Sequence, residues 1–190
     1  MSTGHAEIYD DDALPQASRQ LARIRADHPE FEEFLNEDYS FSHKWDIPWV
    51  AGRNLSCSRI YVDRHCQIIR KIRKNSGGSL SVNITPFLAH HERPEFFLMH
   101  RLGWEYEPAH HVATVVEKEA VEAVGLHWNS YRNEMRKDIK KDEDPRIDRC
   151  PPDLDVEPYE EGASPKLVKR ILDAMGRQRR RSAHTLFMRR

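Results

Sequence analysis

Apolar positions along the chain fall into short helical and strand-like groups separated by strongly polar stretches. Leu21 and Ile24 share one face of a helix predicted from about Pro15 to Ala26. His28-Pro29 ends it, because the residue before a proline is pushed out of the helical region. Phe31, Phe34 and Leu35 recur at i, i+3 and i+4 and predict a short second helix. Between Ser42 and Gly52, the residues Trp45, Ile47, Pro48 and Trp49 predict a loop packed onto the core. Arg59–Asp63 reads as a β-branched and aromatic strand. Ile68–Ile72 fits a strand or a helix, and Ser79–Ile84 alternates loosely as a strand after the Asn75–Gly78 turn. Thr85-Pro86 is a helix start, with an oxygen-bearing cap and proline in the first turn. That helix should reach about Leu102 and stop at Gly103. A second runs from Glu107-Pro108 to about Val124 and a third from Trp128 to Lys140. Ser164-Pro165 opens a basic helix from Lys166 to about Met175, with the residues from Gly176 onward expected to be disordered when free.

Composition changes this picture at the ends. Of 190 residues, 38% are hydrophobic and 32% charged, more polar than one domain using every residue would be. The net charge of -1 is a cancellation, because residues 166–190 hold nine Lys/Arg and one acid. Residues 138–161 hold ten acids and four prolines, the composition of a solvated linker. The predicted organisation is a flexible acidic arm (1–14), a folded domain (15–137), an acidic, Pro-rich linker (138–163), and a basic helix and tail (164–190). No apolar run has the length of a membrane span, and the acidic start is unlike a signal peptide. Three cysteines without a C-x-x-C pair argue against a disulfide framework and a zinc ribbon. The expectation is a soluble, reduced, cytoplasmic protein; nothing in the sequence sets an oligomeric state.

Histidine carries the chemistry. Five of the eleven histidines lie within 90–111. His91-Glu92-x-x-Glu95 resembles the zincin H-E-x-x-H motif with its last histidine replaced by glutamate. Residues four apart lie on one helical face, so His91 and Glu95 can reach one cation. Glu92 would sit beside a metal-bound water and take its proton. On the next helix His110 and Glu117 are two turns apart and share a face, and Glu107 precedes His110 with the Glu-x-x-His spacing of carboxylate-bridged dimetal bundles. If the two helices pack antiparallel across Gly103, then His91, Glu95, His110 and Glu117 converge. Of the doublets His90-His91 and His110-His111, at most one member each is expected in the site, since neighbours point about 100° apart.

These motifs, with Ile-Pro-Trp-Val-Ala-Gly52 and Ile-Tyr-Val-Asp-Arg-His65, resemble a family of uncharacterised bacterial and phage proteins. Its pattern is an I-Y-I-D-R-H strand, then H-E-x-x-E, then A-H with a glutamate seven residues on. The resemblance spans about 45–132 and is carried by Asp63, His65, His91, Glu92, Glu95, His110 and Glu117. It implies an α+β, zincin-like fold, a short β-sheet with a helical bundle plus polar terminal arms, that binds Zn2+ or another divalent metal. The activity expected is metal-dependent hydrolysis of a peptide or small-molecule substrate, with Glu92 as general base.

Other readings of the same residues stand beside this one. Glu92, Arg93 and Glu95 also suit a solvated helix face, and Pro94 removes an amide and should kink the motif helix or start a new one. Asp63 and His65 alternate on a strand, where they either close the cleft or pair with Arg64. Arg177, Arg179, Arg180 and Arg181 suit nucleic acid or an acidic protein partner, or pairing with the acidic linker. The alternative function is accordingly a non-catalytic, degenerate zincin that docks through its tail.

Overall fold

The computed structural model describes Asp10, residues 12–139 and residues 147–187. It is an α+β fold with, in chain order, α1 (Leu14–Asp27), α2 (Glu30–Asn36), β1 (Ser40–Trp45), β2 (Ala51–Arg53), β3 (Arg59–Asp63), β4 (Ile69–Arg73), β5 (Ser79–Asn83), α3 (Thr85–Phe96), a π-helical turn (Phe97–Arg101), α4 (Tyr106–Ala123), α5 (Trp128–Ile139), α6 (Glu157–Gly162) and α7 (Pro165–Phe187). No helix among the described residues is long and apolar enough to cross a membrane. Most of the acidic arm predicted at 1–14 lies outside the described residues.

The described residues divide into two units, neither continuous in sequence. The first takes those up to Tyr39 together with Gln67–Lys137; the second takes Ser40–Cys66 and the chain from Asp138 on. Residues 40–66, expected as part of one domain spanning 15–137, thus fold with the C-terminal part of the chain.

In the first unit, Ala17, Leu21 and Ile24 bury one stripe of α1, which packs on α4. Phe31 and Phe34 of α2 meet the end of α3 and the π turn. The Phe31 and Phe97 rings lie edge to face at 5.1 Å, and the Phe34 and Phe96 rings stack at 5.8 Å. The ambiguous segment near Ile68 is a strand. β4 pairs antiparallel with β5 from Ile69↔Asn83 to Arg73↔Ser79, and its burial alternates with period two, Arg70 and Ile72 inward. Gly77 and Gly78 close the hairpin at φ +92° and +72°, a backbone region that favours glycine.

Entry into α3 is capped from two residues further back than the sequence suggests. Thr85 is already helical, and the Asn83 carboxamide oxygen accepts both the Thr85 N–H (3.0 Å) and the Thr85 hydroxyl (2.8 Å). Pro94 does not start a new helix. α3 continues through it to Phe96, and the wider π turn follows before Gly103, at φ +69°, ends the run. Such widened turns occur where the helical ladder is interrupted.

The second unit holds a three-stranded sheet in the order β1-β3-β2, with β1 parallel and β2 antiparallel to β3. The Trp-rich loop expected at 42–52 thus contains most of strand β1 and the start of β2. The central strand is buried from Ile60 to Asp63, as a strand covered on both faces should be. Composition misread residues 147–163. Ile147, Cys150, Leu154 and Tyr159 join Ile47, Tyr61, Ile171, Ala174 and Met175 in one core. Asp46 pins the segment by accepting the N–H groups of Asp148 and Arg149, each at 2.7 Å. Residues 140–146 of the expected linker lie outside the described residues. α7 runs past Gly176 to Phe187 instead of ending near Met175; Ile171, Ala174 and Met175 anchor it at i, i+3 and i+4.

All three thiols lie in this second unit, buried and outside any disulfide. Burial, and then the neighbouring Asp46 carboxylate, pushes the Cys150 thiol up to about 12. A thiolate reagent at pH 8 should therefore modify no cysteine in the native chain and all three after unfolding in urea. Rapid native labelling would contradict this packing.

Candidate metal centre

α3 and α4 pack along their length in the first unit, and the contacts between them fix an antiparallel register. His91, early in the motif, reaches Glu117, far along α4; Glu95, a turn later, reaches His110, near its start. The face expected to be solvated is interior. Glu92, Arg93 and Glu95 are all buried, because α3 is covered nearly all round. Arg93 stacks its guanidinium over Phe34 and Tyr39 at 4.5 and 4.9 Å and donates to the Phe34 carbonyl.

Three donor atoms converge between the helices. His91 Nε2 lies 3.0 Å from His110 Nδ1 and 3.5 Å from Glu95 Oε2, and His110 Nδ1 lies 3.0 Å from Glu95 Oε2. Zinc bound tetrahedrally at about 2.0–2.1 Å sets its ligand atoms roughly 3.3 Å apart, close to the edges of this triangle. The group is one of those in the structure able to hold an ion. Thr114, on the same face of α4, donates its hydroxyl to the His110 carbonyl at 2.9 Å, and the Tyr106 ring lies 5.3 Å from that of His110.

Glu117 meets the other nitrogen of His91, with Oε2 3.1 Å from Nδ1. Its second oxygen accepts the Tyr131 hydroxyl at 2.5 Å. The site is dry for so polar a cluster, with side-chain exposure of 13% for His91, 4% for Glu95 and 1% for Glu117. Burial alone would lower the His91 pKa, but hydrogen bonds to Glu117 and Glu95 outweigh it and push His91 up to about 10. Without an ion, His91 thus faces Glu117 through Nδ1 and Glu95 through Nε2. With a dication and neutral imidazoles, Glu95 and Glu117 balance the ion's charge.

The other predicted residues are distributed differently. Glu92 is buried on α3, about 100° round the helix from His91. Glu107 is exposed in the first turn of α4, so the Glu-x-x-His spacing does not bring it to His110's donor face. Asp63 and His65 belong to the second unit and do not share a strand face, because β3 ends at Asp63 and a turn follows. Asp63 is a brace there: its carboxylate accepts the Ile47 N–H at 2.8 Å and the His65 N–H at 2.7 Å. The His65 side chain is exposed, 3.1 Å from Arg64 Nε. On α7, Arg177 and Arg179 donate to the carbonyls of Ile147 and Pro152, so the chain's own backbone engages both. Arg180 is exposed, and the Arg181 side chain lies outside the described residues. Sequence spacing gave no sign of Tyr131; the available signal is that a buried tyrosine hydroxyl and a buried carboxylate each need a partner.

No protein-family model matches the chain, and no curated protein or solved structure shows significant similarity to it.

Proposed function

We propose that the chain is a divalent-metal-dependent hydrolase of zincin-like kind, with zinc as the ion and a peptide as the substrate class. The observation that carries this reading is the triangle of His91 Nε2, Glu95 Oε2 and His110 Nδ1, with edges of 3.0–3.5 Å. Two imidazoles and a carboxylate are a common catalytic zinc set, and three protein ligands leave a coordination position open. When bound, the ion supplies Lewis acidity toward water or a substrate carbonyl. Glu92, next to the first ligand in the chain, is the assigned proton acceptor, and the apolar packing of α3 and α4 excludes bulk water from the cluster.

The test separates binding from catalysis. Elemental analysis of the purified wild type should find close to one bound ion per chain. Glu92→Gln should keep that ion and lower the hydrolysis of a fluorogenic peptide library by about 10²- to 10⁴-fold, the range for removing a general base. A wild type that neither carries nor takes up metal overturns the proposal. Bound metal with no Glu92-dependent hydrolysis overturns its enzymatic part and leaves a metal-binding protein.

A further inference from the structure

We infer that Glu117 is not a metal ligand but positions His91 from behind, and that Tyr131 holds Glu117 in place for this task. The inference rests on the reading of His91, Glu95 and His110 as an ion site. The two nitrogens of an imidazole point away from each other across the ring. His91 turns Nε2 toward Glu95 and His110 and Nδ1 toward Glu117, with Oε2 at 3.1 Å. An ion taken by Nε2 therefore lies on the far side of the ring from Glu117. Swinging Glu117 round to it would break the 2.5 Å hydrogen bond from Tyr131 to Oε1.

Tyr131 is itself fixed. It is fully buried on α5, with the Phe87 ring edge-on at 5.5 Å and the Trp128 ring stacked at 5.6 Å. A phenol clamped on both sides sets one carboxylate oxygen and leaves the other aimed at His91. The carboxylate has a chemical consequence as well as a steric one. It only accepts, so it requires the His91 proton on Nδ1 and leaves the Nε2 lone pair free for an ion. A neutral amide in its place accepts or donates at Nδ1 and loses that selection. Carboxylates acting through a ligating histidine in this way typically contribute 10- to 100-fold to metal affinity.

The experiment is a titration of Co2+ into the metal-free full-length chain, followed through its visible absorption, with wild type, Glu117→Gln, Glu117→Ala, Tyr131→Phe and His91→Ala. Both Glu117 variants should bind Co2+ about 10–100 times more weakly than wild type while keeping its band positions and intensity per bound ion. Gln should be the milder change, because it retains the oxygen, and Tyr131→Phe should be milder still. Nitrogen-15 spectra of the zinc-loaded wild type should show a protonated Nδ1 on His91. A changed Co2+ spectrum in Glu117→Ala would make Glu117 a ligand and overturn the inference, and so would unchanged affinity in both Glu117 variants. Failure of the wild type to bind Co2+ at all would instead remove the ion site itself, and this inference with it.

Discussion

His110→Ala should lower the affinity of the chain for Zn2+ by more than about a hundredfold and abolish the effect of zinc on its melting temperature. His110 supplies the donor atom that lies 3.0 Å from each of the other two. Removing it leaves only His91 and Glu95, an i,i+4 pair on one helix, with no group from α4. Losing a direct ligand exceeds the 10- to 100-fold cost of disturbing a supporting residue. In the wild type, zinc at a hundred times its Kd should stabilise the native state by about 2.7 kcal/mol, because the ion binds only the folded arrangement. Melting curves with and without zinc, for wild type, His110→Ala and the exposed His127→Ala as control, read this directly. Equal zinc shifts in wild type and His110→Ala would show that the ion binds elsewhere.

The parts of this site that were legible in the sequence are those set by helical periodicity. His91 with Glu95, and His110 with Glu117, share faces because 3.6 residues per turn places them there whatever surrounds them. Their meeting followed from one further inference, an antiparallel pair across Gly103. What spacing could not supply was orientation. Nothing local says that Glu117 meets Nδ1 and not Nε2 of His91, or that a tyrosine on another helix supports it. Of the two outcomes expected of Pro94, a new helix is excluded: α3 continues through it, and the ladder is rearranged beyond, in the π turn.

The second unit was harder to read because non-local pairing makes it. Strand β1 carries Ser40, Ser42 and Lys44 among its six residues, and its parallel register with β3 leaves no sequence signature. Residues 147–163 have a linker's charge and proline content. Of their apolar residues, Ile147, Cys150 and Leu154 fall at the helical spacing i, i+3 and i+7 yet lie in an irregular stretch, and only Tyr159 sits on a helix, α6, so periodicity does not report how they are buried. Composition reports how polar a segment is on average; it does not report that four side chains are enough to anchor it.

That anchoring predicts the largest stability effect. Asp155→Ala should destabilise the second unit by about 3–5 kcal/mol, the usual result of leaving one member of a buried ion pair behind. Arg53 and Asp155 are 1% and 2% exposed, with Nε 3.1 Å from Oδ2. The backbone ties the same two residues, since the Asp155 N–H donates to the Arg53 carbonyl at 2.8 Å, and Asn54 bridges to Leu154 beside them. With the carboxylate gone, the guanidinium remains fixed by its own strand in a dry interior and can regain water only if the segment lifts away. Asp155→Asn keeps the shape and an acceptor and should cost less. Replacing both residues by apolar side chains of similar volume should cost less than Asp155→Ala, because the desolvation of two charges is then avoided. Because the three buried cysteines all lie in this unit, native-state thiol labelling reads its opening. When closing outpaces modification the rate follows the open population, so 3–5 kcal/mol corresponds to labelling roughly a hundred to several thousand times faster. A change of less than tenfold in Asp155→Ala would mean that the pair is dispensable and that the aromatic and aliphatic core alone holds residues 147–163 against the sheet.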